Sequence, residues 1–282
     1  MDKFDKFDKI AVLMTCHNRK EHTTACIRSL TEGEAKEALQ FVVVDSGSTD
    51  GTKDALRELA AEGMQIRHIH APDDLFWNGG MRIAMRYAAK YMKDCAYVLL
   101  VNDDVKFYPK TVSGLIARLT QYRTDAVVGA TKDSRGQQSY GGVRQKSKYT
   151  ARYELIPPSE EPEQCDTFNC NCLLLTYDCF WRMGNLDPSY VHSMGDYDYG
   201  LKLKHRGATV INTADFVGEC DDNDVSGSWK DRALDRKTRL KLKEGPKGLP
   251  RKDWYHFVRK NYSFPAAVYH SMTPYLLILL GK

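Results

Sequence analysis

The sequence predicts an α/β fold with a parallel sheet and helices on both faces. Two observations carry this. Short apolar runs alternate four times with segments of helical periodicity over the first 130 residues. Polar clusters bearing Asp close two of these runs, where a parallel sheet exposes its carboxyl ends. Alternation of this kind demands right-handed crossovers between parallel strands.

Residues 10–15 are the first apolar run and end in Cys16-His17-Asn18-Arg19, with a helical pattern following to Leu30. Residues 41–44 are the second, ending at Asp45, and Ser46-Gly47-Ser48-Thr49-Asp50-Gly51 offers several helix N-caps. Ala55, Leu56, Leu59 and Ala60 share one face of the next helix, which Gly63 stops. Residues 65–70 form a third strand. Asn78-Gly79-Gly80 is expected to open a helix capped by Asn78, with Met81, Ala84, Met85, Ala88 and Met92 at helical spacing. Residues 97–101 are the fourth strand and run into Asn102-Asp103-Asp104. Pro109 suits the first turn of a helix reaching Tyr122, and residues 126–130 are a fifth strand. Beyond this point the alternation fails. Residues 132–166 are polar and rich in Gly, Tyr, Lys and Pro, and suit a loop or hairpin insert. A strand over 168–176, helices over 177–183 and 195–205, and a strand over 208–212 complete the pattern.

Composition excludes several classes. At 42% hydrophobic and 28% charged residues, the 282-residue chain is neither disordered nor collagenous. Forty-one Lys and Arg against 37 Asp and Glu give a net +4, no footprint for nucleic acid. Eight Cys in a chain this long make no disulfide framework. Cys165, Cys170, Cys172 and Cys179 lack paired C-x-x-C knuckles and are expected to be free thiols. Charge recurs through residues 1–9, leaving no apolar stretch for a signal peptide. The stretch 263–281 is interrupted by Pro265, His270 and Pro274, so no span is expected and the chain reads as cytoplasmic.

Two adjacent carboxylates after a wholly apolar strand, Asp103 and Asp104, read as a hard-oxygen site for Mg²⁺ or Mn²⁺, with phosphate oxygens as further ligands. The same Asn-Asp cluster also reads as a turn and helix cap. Asp45, at the neighbouring strand end, favours a site.

Val44-Asp45-Ser46-Gly47-Ser48-Thr49-Asp50-Gly51, followed by Asn102-Asp103-Asp104, resembles the nucleotide-binding half of family 2 glycosyltransferases with the GT-A fold. The family's Asp-Asp-Gly-Ser-x-Asp-Gly-Thr has Ser46 at its second Asp, and its DxD stands as Asn102-Asp103-Asp104. Thr15-Cys16-His17-Asn18-Arg19 takes the place of Pro-x-Tyr-Asn-Arg, and Asn78-Gly79-Gly80 matches a further element. The segment 177–187 looks like the stretch before the family's acidic motif. Gly195-Asp196-Tyr197-Asp198 is similar to Glu-Asp-x-Asp, with Gly195 replacing the Glu. The likeness covers roughly residues 9–215.

The resemblance implies a GT-A-like nucleotide-binding core (1–130) and a mixed acceptor and catalytic half (131–215); after it a basic, amphipathic helical C-terminal region (216–282) is expected. It implies inverting transfer of a sugar from a nucleotide-sugar donor to a glycan or lipid-linked glycan, in bacterial surface-polysaccharide assembly of a rhamnosyltransferase-like kind. A sugar hydroxyl needs a carboxylate to take its proton, and Asp196 occupies that position, with Asp198 as fallback. A helix dipole is expected to keep Asp196 ionised. A nucleoside diphosphate leaving group needs positive charge; Asp104, with Asp103, is the metal ligand. Asp45 suits the nucleoside, Thr15 and Arg19 the base or diphosphate, and Asn78 lies near the donor. Trp77 reads either as a stacking surface or as packing, and His192 is placed to line the acceptor site.

Two rival classes stay open. A nucleotidyltransferase also uses Mg²⁺ on a parallel sheet but carries a Gly-rich basic loop where Cys16-His17-Asn18-Arg19 stands. An inactive carbohydrate-binding module is compatible with the changed acids at Ser46, Asn102 and Gly195. Finally, residues 230–260 hold twelve Lys or Arg and four acids, a net +8, interleaved with Trp254, Tyr255 and Phe257 and followed by an apolar stretch. That pattern predicts a peripheral anchor on an anionic membrane surface at the inner face of the plasma membrane.

Overall fold

The apolar runs bury both faces, which requires a sheet covered on both sides. In the computed structural model, which describes residues 8–34, 36–222 and 225–282, they do so. The first half runs β1 (Ile10–Cys16), α1 (Lys20–Thr31), β2 (Leu39–Ser46), α2 (Thr52–Ala61), β3 (Gln65–Ala71), α3 (Phe76–Tyr91) and β4 (Tyr97–Val101). Then come β5 (Lys106–Phe107), α4 (Thr111–Tyr122) and β6 (Ala126–Lys132). The insert supplies β7 (Gln138–Tyr140), β8 (Gly142–Gln145) and β9 (Tyr153–Leu155). The remainder is β10 (Thr167–Phe168), β11 (Cys172–Thr176), α5 (Tyr177–Met183), α6 (Gly195–His205), β12 (Val210–Glu219), α7 (Arg236–Glu244), α8 (Arg251–Asn261) and α9 (Phe264–Leu279).

The main sheet has the order β3-β2-β1-β4-β11-β6-β12-β5, with β7 on β6; β10-β8-β9 form a small second sheet. β3, β2, β1 and β4 are parallel. β11 runs antiparallel between β4 and β6, so the sheet is mixed on its second side. From β1 the chain moves outward to β2 and β3, then crosses back to β4 on the other side. The crevice beyond the ends of β1 and β4 is therefore a switch point where a ligand is expected.

Side chains alternate across the sheet. Ala11 and Leu13 of β1 join Met81, Met85 and Leu203 beneath α3 and α6. Val12 and Met14 join Ile27, Leu56 and Leu115 beneath α1, α2 and α4. All eight cysteines are free and buried, as expected.

Two element assignments are corrected. The expected strand over 168–176 is two strands in different sheets, because the chain leaves the second sheet after Phe168 and enters the main one only at Cys172. The helix expected to open at Asn78 begins at Phe76, and Asn78 makes no cap hydrogen bond. The charged run at residues 1–7 lies outside the described residues.

The C-terminal helices are built into the fold. Phe257, Val258 and Ala267 pack with Tyr190 and Leu201. Lys260 Nζ lies 2.7 Å from both Asp187 Oδ2 and Asp198 Oδ2. Asn261 Nδ2 donates to Asp198 Oδ1 at 3.0 Å, as does the Tyr190 hydroxyl at 3.1 Å. Lys260→Met removes the ammonium that bridges the two carboxylates, leaving His256 beside Asp187. It is expected to lower stability by about 1–3 kcal/mol, discounted because the Lys260 side chain keeps partial solvent access. A urea midpoint checks this; an unchanged midpoint rejects the clamp.

Candidate active site

The end of β4 delivers Asn102, Asp103 and Asp104 into the switch-point crevice. Asp103 is 5% exposed and accepts a hydrogen bond from the Thr23 hydroxyl at 3.2 Å. Arg19, at the end of β1, reaches both acids: Nη1 lies 3.4 Å from Asp103 Oδ1 and Nη2 donates to Asp104 Oδ2 at 2.9 Å. Burial pushes the Asp103 carboxyl up to about 6, against the pull of Arg19. Asp104 is the more open acid, and its other oxygen accepts from the Cys220 thiol at 3.6 Å.

Among the described residues no three His, Cys, Asp or Glu side chains converge on one point. An all-protein metal cage is therefore absent from that set. The donor chemistry fits a different mode, in which one or two carboxylates hold a divalent ion and phosphate oxygens complete its shell. Of the two carboxylates Asp104 is the more accessible, with Asp103 enclosed behind it.

The two loops beside this crevice are tied together. Asn18, at φ 50°, accepts from the Thr49 amide at 2.7 Å, while its own amide donates to Ser48 Oγ at 2.8 Å. Asn tolerates this left-handed conformation better than most side chains. Asp45 is 1% exposed; it accepts from the Ser48 amide at 2.9 Å and lies 3.2 Å from His68 Nε2. Ser46, where the family pattern has Asp, donates to the Pro72 carbonyl at 2.7 Å. The Thr15 hydroxyl donates to the Val44 carbonyl at 3.1 Å and packs on Gly80, where a Cβ would stand 2.1 Å from it. In this conformation Thr15 sets the close approach of β1 and α3.

A cavity of about 280 Å³ opens on the other side of Asn102. Trp77, Asn169, Asn171, His192 and Asp196 are among its walls. Trp77 Nε1 donates to Asn102 Oδ1 at 2.8 Å, so the indole both packs on the core and fixes the first residue of the Asn-Asp-Asp run. Asp196 sits at the start of α6, just after Met194, whose φ is 70°. Its Oδ1 accepts from the Tyr197 amide at 2.8 Å. Burial nevertheless pushes its carboxyl up to about 6. Desolvation thus outweighs the amide hydrogen bond in the direction of the shift, although a carboxyl at about 6 is still mostly ionised at pH 7.

Gly195 has no room for a side chain. A Cβ there would lie 2.2 Å from Asn78 Oδ1. Asn78 is fully buried, and its Nδ2 donates to the carbonyls of Asp187 and Tyr190 at 3.0 and 2.8 Å. The space of a second acid is thus occupied by Asn78, which fastens the loop before α6. Asp198 is 1% exposed, with both oxygens engaged by Tyr190, Lys260 and Asn261. Among the described residues that leaves Asp196 as the carboxylate lining the cavity. His192 carries a buried Nδ1 with no hydrogen-bond partner among the described residues. Burial, then Lys247, pulls its pKa down and keeps the ring neutral.

Three site features escaped the sequence. Asn169 and Asn171 line the cavity because the chain breaks between β10 and β11. His68 reaches Asp45 through the β2–β3 register, and Cys220 reaches Asp104 from the end of β12. None belongs to a short motif; only strand pairing brings them in.

A family model described as Glycosyl transferase family 2 matches residues 11–180. Among solved structures, the chain is similar to the mannosyltransferase PcManGT from Pyrobaculum calidifontis, in complex with GDP-Man and Mn²⁺. The TM-score is 0.60 and identity 14%, over 98% of this chain and 74% of that one. It is also similar to S. aureus TarS 1-349 in complex with UDP-GlcNAc, with a TM-score of 0.62 and 13% identity over 97% and 72% of the two chains. GalNAc-T7 with UDP, GalNAc and Mn²⁺ gives a TM-score of 0.60 and 12% identity, over 98% of this chain and 56% of that one. These likenesses identify the fold as GT-A-like. With the family match spanning more than half of the sequence, the chain belongs to glycosyl transferase family 2 and is a glycosyltransferase.

Proposed function

We propose that the protein moves a sugar, with inversion, from a nucleotide-sugar donor to a hydroxyl of a glycan or lipid-linked glycan. The observation that carries this is the continuity of Asn102, Asp103 and Asp104. The run joins a charged end, with Arg19, to a cavity holding Asp196. In this reading the diphosphate lies at the Arg19–Asp104 end and the transferred sugar at the Trp77–Asn102 end. Asp45 and its loop take the nucleoside. Asp196 removes the proton of the acceptor hydroxyl as its oxygen attacks the anomeric carbon; the bond to phosphate breaks, and the nucleoside diphosphate leaves. A divalent ion, Mg²⁺ or Mn²⁺, held by Asp104 when bound, would neutralise charge on that leaving group. The relatives bound to GDP-Man and UDP-GlcNAc support the donor class.

The cavity walls favour an uncharged sugar. They include one carboxylate, a neutral His and the amides of Asn102, Asn169 and Asn171, and no Lys or Arg lines the cavity among the described residues. We place the cellular role in surface-polysaccharide assembly at the inner face of the plasma membrane, of a rhamnosyltransferase-like kind.

A thermal-shift screen of nucleoside diphosphate sugars with Mn²⁺ tests the reading. A ligand at about 100 times its Kd stabilises the native state by about 2.7 kcal/mol, or several degrees in Tm. A hexose or deoxyhexose donor is expected to stabilise more than a uronate donor. Absence of any shift across the panel rejects the donor assignment, and a uronate preference rejects the uncharged sugar alone.

A further inference from the structure

Helix α9 buries one side and bares the other. Ala267, His270, Ser271, Pro274 and Ile278 are buried, and the Trp254 indole of α8 donates to the His270 carbonyl at 2.9 Å. Phe264, Val268, Met272, Leu276 and Leu280 follow at every fourth position and are 57, 44, 46, 53 and 68% exposed. Side chains four apart on a helix are neighbours, so the five form one apolar ridge. Tyr269 and Leu279, at 58 and 54%, widen it. A contiguous exposed apolar ridge on a folded domain marks a surface that something covers.

The charge on the two helices packed against α9 says what. Helices α7 and α8 both pack on α9. Arg236, Lys237 and Lys241 of α7 and Arg251, Lys252 and Arg259 of α8 are exposed. The ion pairs formed here among the described residues use Lys243 and Lys260 instead. The net +8 of residues 230–260 therefore stays largely uncompensated. A second copy of this surface would bring like charges together, whereas an anionic bilayer offers both an apolar layer and opposite charge. Sixteen residues make a helix of about 24 Å, short of the roughly 30 Å hydrocarbon core. No helix among the described residues is long and apolar enough to cross.

We propose that α9 docks flat on an anionic lipid bilayer, with the 264–280 ridge in the headgroup boundary and the basic residues of α7 and α8 against the headgroups. This deepens the reading of a lipid-linked acceptor, because it brings the protein to the surface that holds such a substrate. The binding itself does not depend on that reading.

Co-sedimentation of the full chain with vesicles tests it, using phosphatidylglycerol-containing vesicles against pure phosphatidylcholine. The full chain is expected to sediment with the anionic vesicles, and less so as salt rises. The exposed triple variant Val268→Ser, Met272→Ser, Leu276→Ser is expected to bind roughly 100-fold more weakly, from the lost apolar burial. Its thermal transition and donor-induced shift should be unchanged, since these side chains face away from the core. Arg251→Glu with Lys252→Glu is expected to weaken binding and flatten its salt dependence. Wild-type protein left in the supernatant, or undiminished sedimentation of the triple variant, overturns the proposal. So does light scattering that finds a dimer which the triple variant converts to monomer without any vesicle binding. Because the vesicle readout needs no donor or turnover, failure here is separate from failure of the glycosyl-transfer assignment.

Discussion

Asp196→Asn is expected to bind donor like the parent and to transfer sugar about 10²–10⁴-fold more slowly, the usual worth of a general base. The isostere keeps the shape of the cavity but takes no proton. A second effect runs the other way. The carboxyl of Asp196 is pushed up to about 6 by burial, against about 3.9 in the unfolded chain. Below about pH 4 both states are protonated, and burial of a charge costs nothing. As pH rises towards 6 the unfolded chain ionises first, and stability falls. Above 6 the native chain carries the buried charge, and the cost becomes constant. Asn removes that cost. The variant is therefore expected to be about 1–3 kcal/mol more stable than the parent at pH 8, with the gain vanishing near pH 4. Paired urea titrations at the two pH values measure it. A protein that is more stable yet inactive cannot be explained by misfolding. Parental turnover in the variant would place the base elsewhere. The parent's kcat/KM should likewise fall about tenfold per pH unit below 6, as the base takes up its proton.

What the sequence disclosed, and what it hid, follows from the range of the interactions involved. β1, β2, β4 and β6 were legible because strands buried on both faces must be apolar throughout. The same uniformity concealed β11: an apolar run carries no mark of direction, and its antiparallel insertion between β4 and β6 is set by tertiary pairing. Asp103, Asp104 and Asp196 stand in local patterns and were nameable. Their partners were not. Its place after β1 gives Arg19 to the base or diphosphate, and its contact with Asp103 and Asp104 comes from strand register. Lys260 is 62 residues from Asp198, and only the packing of α8 on α6 brings them together. In sequence Asn78 reads as a cap because a cap and a buried clamp use the same side-chain amide; the earlier start of α3 decides between them. Burial was the other hidden term. At the first turn of a helix Asp196 reads as stabilised, and only the cavity around it reverses the sign.

Asp104→Asn is expected to abolish the part of nucleoside diphosphate binding that depends on a divalent ion and to leave the remainder. Two positive groups compete for this carboxylate. Arg19 holds its Oδ2 at 2.9 Å, and an ion held on that oxygen with phosphate oxygens would compete with that contact. Arg19 also lies 3.4 Å from Asp103 Oδ1, so it keeps a counter-charge after giving up Asp104 and stays beside the proposed diphosphate position. Calorimetry of a nucleoside diphosphate in Mn²⁺ and in EDTA separates the two contributions. For the parent, the ion is expected to tighten binding by about 10–100-fold, corresponding to about 1.4–2.8 kcal/mol. For Asp104→Asn the two conditions should give the same Kd, close to the parent's value in EDTA, because the arginine is retained. The fold should be little affected, since Asp104 is the partly exposed member of the pair. Asp103→Asn provides the contrast. That side chain is enclosed by Thr23 and Arg19, so its loss is expected to disturb the crevice and weaken binding in both conditions. If Asp104→Asn keeps the parent's full Mn²⁺ dependence, the ion is held by other groups and Arg19 is the permanent partner of this acid.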